Sequence, residues 1–463
     1  MPQVERLSSI FPSVVGISLH AREDYQPSLT QGFDYDLAIV GGGIVGATLA
    51  AALKDSGLRV VVIEAQPQSV AVAKGQAYAI HLSSSHIYEE IGVWDAIAPQ
   101  VEYFTHVHLS DAHCPHVVKF RPADLKTPVL GYVAEHRVLL QELLQFLKTC
   151  DHVDWLCPAQ VIATHYHRTG VEVDIAPPTS AETEGGSTAL PRTVRVRMVV
   201  AADGARSQIR QQAGIPTQGW DYWQSCLVAT IAPEKFHNHI AYERFWPSGP
   251  FAILPIAKDR CRIVWTAPHT QAQALLKLPE DEFIALLQQR YGSQMGKLTL
   301  VGQRFLFPAK WMHSKQYVAP RLALVGDAAH TCHPVGGQGL NLGIRDAAAL
   351  AQVLQIAQFR GLDIGDIQVL RQYQQWRRRQ NWLALGLTDI LNRIFSNRWF
   401  VVVPIRRFGL KLLQWITPLR VFTLRFMAGL SGRWSPTGLS PSDSKQRPSP
   451  HLVQQKIIFD NKG

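Results

Sequence analysis

Asp36-Leu-Ala-Ile-Val40-Gly41-Gly42-Gly43-Ile44-Val45-Gly46 is the stretch that decides the fold. Asp36 to Val40 is short and apolar, as a strand buried on both faces of a parallel sheet requires. Glycines follow, then Ile44 to Lys54, rich in alanine and leucine, reads as a helix that Gly57 stops. Arg59-Val-Val-Val-Ile63 is β-branched and reads as a second strand. Strand, glycine turn, helix and strand make a βαβ unit, with Gly41, Gly43 and Gly46 in the G-x-G-x-x-G pattern. The first glycine permits the tight turn, the second lets backbone approach a pyrophosphate, and the third lets helix and strand pack closely. The helix start offers free N–H groups and the positive end of the dipole to phosphates. Glu64 lies 23 residues after Gly41, where a carboxylate can accept the hydroxyls of an adenosine ribose. No arginine directly follows it, so a 2′-phosphate is not expected. The unit predicts a dinucleotide site and does not by itself separate FAD from NAD.

Outward from this unit, the composition bounds the rest. The chain has 463 residues, 46% apolar and 18% charged, which is globular and long enough to bury a large core without disulfides. Cys114, Cys150, Cys157, Cys226, Cys261 and Cys332 form no C-x-x-C pair. Such scattered thiols point to a reducing compartment and away from a structural zinc site. The net charge of +10 comes with no Lys/Arg block of the nucleic-acid type, so no nucleic-acid partner is expected. The excess gathers in the last quarter, among apolar residues. Residues 1–33 carry acidic Glu5, Glu23 and Asp24 and lack a long apolar core, so they read as an N-terminal extension and not a secretory signal. Leu37 to Leu53 is too short and too glycine-rich to span a membrane.

Two further strand ends carry an aspartate beside a glycine. Val199-Val-Ala-Ala-Asp203-Gly204 is one; Leu322-Ala-Leu-Val-Gly326-Asp327 is the other. Ligands of doubly wound sheets sit at strand ends, where a carboxylate can hold a sugar or ribityl chain. An ordinary turn or helix cap produces the same pattern. Pro334-Val-Gly336-Gly337-Gln-Gly339-Leu340-Asn341 then opens a helix expected to run to about Gln358. Its glycines allow backbone to approach a flat ring, and the helix start favours negative charge there. His330 and His333 flank this loop; without an evident third ligand they are read as structural or substrate-proximal, and no metal is expected. Helices are expected over 135–149 and 365–395, and β-rich runs over 220–266 predict a second sheet. Residues 176–193 read as an exposed hairpin loop.

The three motifs, in this order, resemble the FAD-dependent aromatic hydroxylases, the group A flavin monooxygenases. In that family the Asp203-Gly204 motif touches the flavin site, the Gly326-Asp327 aspartate binds the ribityl chain of FAD, and the loop from Pro334 to Asn341 contacts the isoalloxazine. Gly249-Pro-Phe-Ala-Ile-Leu-Pro255, Arg262-Ile-Val-Trp265-Thr and Gly131-Tyr-Val-Ala-Glu-His136-Arg137 narrow the likeness to the ubiquinone-biosynthesis hydroxylases, over roughly residues 34–395. The resemblance implies an α/β fold: a Rossmann-like FAD-binding domain, an interleaved β-sheet substrate domain at about 100–130 and 210–310, and a C-terminal helical region. It implies FAD held by Gly41, Gly43, Gly46, Glu64, Arg137, Asp203, Gly204, Asp327, Gly337, Gly339, Leu340 and Asn341, with O2 as co-substrate. Where the family usually shows an Asp-x-Arg pair, this chain reads Gln76-Ala-Tyr78-Ala-Ile-His-Leu82.

The expected function is hydroxylation of the aromatic ring of a polyprenylated phenol, a lipophilic quinone precursor. No second G-x-G-x-x-G exists, so the electron donor is NAD(P)H binding transiently or a ferredoxin-like electron-transfer protein. No catalytic acid or base stands out. The alternatives are an FAD-dependent reductase of prenyl double bonds and a non-catalytic membrane-associated flavoprotein that binds quinones; a flavin halogenase lacks its W-x-W-x-I-P segment here. From Arg393 to Arg433 there are eight Lys/Arg and no Asp or Glu, interleaved with Trp399, Phe408, Trp415 and Phe422. That suits a peripheral membrane contact within residues 396–434, each basic residue contributing about 1 kcal/mol near an anionic surface. Pro404 and Pro418 are expected to break the stretch. The location expected is cytoplasmic and membrane-peripheral, and residues 435–463 read as a disordered tail.

Overall fold

Five successive buried residues, Leu37 to Val40 with Asp36 before them, put strand β1 (Tyr35–Val40) in the middle of a sheet covered on both faces. The computed structural model describes residues 32–73, 75–112, 114, 116–176 and 191–431. The expected N-terminal extension up to residue 31, the tip of the hairpin at 177–190 and the C-terminal tail lie outside the described residues.

After β1 the chain turns through the glycines into α1 (Ile44–Ala52) and returns as β2 (Val60–Ile63). Then come β3 (Ala77–His81), α2 (Leu82–Ile91), β4 (Glu102–Phe104), β5 (His106–Asp111), β6 (Val117–Phe120), β7 (Gly131–Glu135) and α3 (His136–Leu147). β8 (Val153–Leu156) precedes the antiparallel run β9 (Gln160–Tyr166), β10 (Val171–Ala176) and β11 (Arg192–Ala201). Long strands follow: β12 (Thr217–Pro233), β13 (Ile240–Trp246), β14 (Gly249–Ile256), β15 (Arg260–Pro268) and β16 (Leu298–Ser314). Short strands β17 (Val318–Ala319), β18 (Leu322–Leu324) and β19 (His330–Thr331) lead to α4 (Gln338–Phe359) and α5 (Ile367–Phe395). Two last helices are α6 (Val402–Trp415) and α7 (Thr417–Met427).

The first sheet runs β17-β18-β11-β1-β2-β8, with β10 on β11 and β9 beyond it. β1 pairs in parallel with both β2 and β11, Leu37 standing opposite Val60 and Met198. This is the doubly wound α/β core the sequence predicts, and its helices α1, α3 and α4 pack together beside the sheet. A second sheet of eight strands runs β19-β16-β12-β15-β14-β13-β5-β6. It is antiparallel except at β13 and β5, where Ile240 stands opposite His106 in parallel. Its strands come from two separated stretches of chain, so this sheet is interleaved in sequence with the first. Strands β3, β7 and β4 form a small third sheet between them.

The break expected at Pro404 is not there. Pro404 sits within the first turn of α6, and Pro418 opens α7; the stretch divides instead at Ile416. Proline is tolerated in a first turn because its missing N–H would have no intrahelical partner.

Behind the first sheet lies a charge cluster with no exposed side chain. Asp346 on α4 receives Arg377 Nε of α5 at 2.7 Å, Asn381 Nδ2 at 3.0 Å and His330 Nε2 at 2.6 Å. Burial pushes the Asp346 carboxyl up, yet the charge of Arg377 and the charge and hydrogen bond of His330 outweigh it and hold it below the usual carboxylate range. The same carboxylate accepts the Gly326 N–H at 3.2 Å, so the cluster fixes the turn that carries Asp327. Replacing Asp346 by alanine takes the opposite charge away from the buried Arg377 guanidinium. Urea unfolding should show D346A less stable by about 3–5 kcal/mol; a loss below about 1 kcal/mol, the size of a surface pair, would mean the cluster does not hold this turn.

Candidate functional site

The C-terminal ends of β1, β11 and β18 face one cavity of about 820 Å³. On the sheet-one side it is lined by the β1–α1 turn, Ala202, Gly204, Asp327 and the loop up to Leu340. On the other it runs under sheet two and ends against α6 and α7.

The turn shows why glycine is needed. A Cβ at Gly46 would come 2.0 Å from the Gly41 carbonyl oxygen, so α1 can start this close to β1 only without a side chain. Gly43, by contrast, has open space where its Cβ would be, and it caps α1 without any side-chain hydrogen bond. The first N–H groups of α1 are thus offered to the cavity. Glu64 accepts the Gly42 N–H at 2.7 Å and the Gln66 N–H at 2.8 Å, which fixes its carboxylate at the end of β2.

Asp327 projects an exposed carboxylate into the cavity and accepts no side-chain hydrogen bond among the described residues. The surrounding protein desolvates it and raises its pKa, although the charge of His330 pulls the other way. Asp203, unlike its neighbours Ala202 and Gly204, does not line the cavity: its Oδ2 accepts the Ile209 N–H at 3.3 Å while Oδ1 is buried without a partner, and burial raises its pKa. Gly337 caps α4 in the left-handed region at φ 61°, again with no side-chain cap, and Gly337, Gly339 and Leu340 line the cavity. A groove with two helix starts, the free carboxylate of Asp327 and a side-chain-free turn fits a dinucleotide whose flat ring lies against the Gly336-Gly337 loop.

Two expected site residues stand elsewhere. Asn341 is fully buried, and its amide is spent on the protein: it accepts from His81 N at 2.9 Å and Ser84 Oγ at 2.7 Å, and donates to Ala79 O and Gly337 O at 2.7 Å each. It clamps β3 and α2 to the start of α4 and has no capacity left for a ligand. Arg137 is exposed and lines a separate pocket with Gln68, Val72 and Lys148, because one residue along α3 turns it about 100° from cavity-lining His136. His330 and His333 are both buried; His330 belongs to the Asp346 cluster, and His333 packs edge-on to Tyr222 at 5.1 Å.

Where the family pattern has an Asp-x-Arg pair, a hydrogen-bonded group of Gln76, Tyr78 and His136 stands instead. Tyr78 donates to Gln76 Oε1 at 2.6 Å and lies 3.2 Å from His136 Nδ1. Burial, and then the Asp327 charge, raise the Tyr78 pKa well above its ordinary value. His81 donates from Nε2 to Gly336 O at 3.1 Å, and burial with the Arg345 charge lowers its pKa to about 3, so it is neutral.

Sequence reasoning missed two further features. The C-terminal helices are a wall of the cavity: Arg406, Leu410, Leu413, Leu424 and Met427 all line it. Arg406 and Arg407 lie 2.9 and 3.0 Å from the two oxygens of buried Asp111, and Arg420 lies 3.0 Å from Asp124, which fasten α6 to β5 and α7 to the short helical turn Pro122–Leu125 after β6. Glu243 is the other. It lies on β13 between Leu109 of β5 and Ala252 of β14, and burial pushes its carboxyl up to about 8. The signal for it is the period of two: Ala241, Glu243 and Phe245 share one face of the strand, and the face is otherwise apolar.

Residues 34–386 match the family model described as an FAD binding domain. The ubiquinone hydroxylase UbiL of Rhodospirillum rubrum is 39% identical over 85% of this chain and 89% of its own length. The 3-demethoxyubiquinol 3-hydroxylase of Escherichia coli is 34% identical over 85% of this chain and 98% of its own length. The crystal structure of p-nitrophenol 4-monooxygenase PnpA from Pseudomonas putida superposes with a TM-score of 0.70, covering 85% of this chain and 98% of that one. At 18% identity this last likeness concerns the fold alone.

The two glycines should separate fold from flavin binding. The Cβ of Gly43→Asp meets no protein atom within 4 Å, and its carboxylate places a negative charge where phosphates would lie. It should keep the thermal transition within a few degrees and weaken FAD retention at least roughly tenfold. Gly46→Val drives a side chain into backbone and should lose both. Full flavin loading of purified G43D would show that the pyrophosphate does not lie there.

Proposed function

The chain belongs to the FAD binding domain family, among the FAD-dependent hydroxylases of ubiquinone biosynthesis, and from that premise we propose that it hydroxylates the aromatic ring of a polyprenylated phenol. It is an FAD-dependent monooxygenase by family. The observation that carries the substrate reading is the single cavity: it runs unbroken from the glycine turn to a largely apolar chamber under sheet two and the C-terminal helices.

In this reading the α1 start and Gly43 receive the pyrophosphate, Glu64 the adenosine ribose, and Asp327 the ribityl chain. Gly204 flanks the ring, with Gly337, Gly339 and Leu340 beneath it. Bound FAD supplies electron acceptance from NAD(P)H or a ferredoxin-like protein and transfer of one oxygen atom from O2. The chain does the rest. The Gly336-Gly337 loop and sheet two hold the substrate ring between them, and the apolar walls keep water from the reacting face. The uncapped start of α4 places its positive end where the ring gathers electrons. The prenyl tail follows Phe395, Leu410 and Leu424.

The tail end of the cavity supports a membrane-peripheral placement. Phe400 is 87% exposed, and Trp399 and Trp415 are 72% exposed. Ile405, Phe408 and Phe422 join them on the outer surface of α6 and α7. Arg398 and Arg425 are exposed in the same region. The electrostatic part is smaller than the count of eight basic residues suggests, since Arg406, Arg407 and Arg420 are held by Asp111 and Asp124. Among the described residues no helix is long and apolar enough to cross a membrane. The contact would be an interfacial one, led by aromatic side chains.

Two measurements test this. In a bacterium lacking its polyprenylphenol hydroxylase, expression of the chain should restore quinone carrying isotopic oxygen from O2 in the ring. Flavin-loaded protein that restores saturated prenyl chains without ring oxygen would establish the reductase instead. In vesicle sedimentation, serine at Trp399, Phe400 and Phe408 together should lower partition by at least roughly tenfold, at the ~0.8 kcal/mol that each buried methylene contributes. An unchanged partition would remove the aromatic face from the membrane contact.

A further inference from the structure

Across sheet two the cavity floor is a row of paired residues. Leu109 of β5 stands opposite Glu243 of β13, Glu243 opposite Ala252 of β14, Ala252 opposite Val264 of β15, and Val264 opposite Val228 of β12. All five line the cavity, and four of them are apolar. The next row, Phe245, Pro250, Thr266, Cys226 and Phe307, is also on the cavity floor, and there the Thr266 hydroxyl and Cys226 thiol are 3.4 Å apart and satisfy each other. Glu243 is therefore the one carboxyl on this floor, and its oxygens accept and donate no hydrogen bond among the described residues.

A carboxyl in apolar surroundings without a partner is costly, and a chain that keeps one has a use for it. The charged groups around it are already engaged. Arg262 donates to Gly75 O at 2.9 Å and lies 3.4 Å from Glu135; Arg406 is held by Asp111; Arg244 donates to Tyr291 O at 2.7 Å. None of their charges contributes to the shift at Glu243, which burial alone produces. On the opposite side of the cavity, Tyr78, Gln76 and His136 bond to one another. Thr331 Oγ1 is buried without a partner, but it lies on β19, at the far edge of the sheet from β5 and β6.

We propose that Glu243 is the residue that holds the hydroxyl group of the substrate ring, its carboxyl hydrogen-bonding to the phenol hydroxyl. The inference rests on the phenol reading above. With the hydroxyl fixed on β13 and the tail leading toward α6 and α7, the ring has one orientation, and Glu243 thereby determines which ring carbon faces the Gly336-Gly337 loop. A reaction on prenyl double bonds would make no use of such a group at the floor's centre.

The test compares two probes on FAD-loaded protein without electron donor: a short-chain prenylated phenol, and the same ring with hydrogen in place of the hydroxyl. Binding is read from the perturbation of flavin absorbance. The wild type should prefer the phenol by about tenfold or more, as a hydrogen bond buried from water predicts. Glu243→Leu and Glu243→Ala should lose that preference while binding the hydroxyl-free ring at least as well; Glu243→Gln, which still donates and accepts, should keep most of it. Leucine replaces an unpaired, half-buried carboxyl on an apolar face, so E243L should load flavin and unfold no earlier than the wild type. A wild type that prefers the phenol with an apolar variant that prefers it equally would overturn the role of Glu243 and leave the phenol reading standing. A wild type that binds neither probe, or both alike, would overturn the phenol reading and this inference with it.

Discussion

Between the start of α1 and the end of β1 there is no room for even one methyl group at position 46. That contact aims the helix axis at the end of the strand and presents its first N–H groups to the space beyond. It also sets where α4 can lie, because a Cβ at Gly343 would meet Val45 of α1 at 2.7 Å and the Gly326 backbone at 3.2 Å. One close approach at the N-terminus of α1 is thus passed on to the turn holding Asp327, more than 280 residues later in the chain. The Asp346 cluster locks that turn from behind. Both helix starts that face the cavity are positioned by this chain of contacts.

The opposite wall is built on other terms. Sheet two presents an almost wholly apolar floor, and the helices that close over it share one apolar cluster with it, Leu410 and Leu424 packing with Val118, Phe120 and Phe245, and are pinned by ion pairs at their edges. A buried pair such as Arg406 with Asp111 adds little net stability over an apolar replacement. Its value is positional: it allows one geometry where hydrophobic contact would allow several.

Much of this was legible in the sequence, and the reasons for the rest are physical. The strand, turn and helix around Gly41 announce themselves because every constraint on them is local. Asp203 and Asp327 could be found because each follows an apolar strand end. Asn341 could not be sorted from a ligand-binding residue, since its partners on β3 are some 260 residues away. Arg137 stood beside a true cavity residue, His136, and helix rotation sent it to another pocket. Pro404 looked like a helix breaker because the helix start could not be placed from composition alone. Glu243 was visible only as an odd letter in an alternating strand, and which face of β13 is inward depends on pairing with β5, a partner from a distant stretch of chain.

Helix α6 carries apolar side chains on both sides. Leu410 and Leu413 look into the cavity, while Phe408 and Trp415 look outward. Its polar residues Arg406, Arg407, Lys411 and Gln414 gather on one side and favour a rotation, while the apolar sides on their own would tolerate small departures from it. Turned by one residue, it would still show hydrocarbon inside and out. What it would lose is the meeting of Arg406 and Arg407 with Asp111. The ion pair therefore acts as a rotational register pin, doing for this helix what a single polar residue does for alignment in a coiled coil. The shape of the tail end of the cavity is in this sense written in charge, although almost every atom that lines it is carbon.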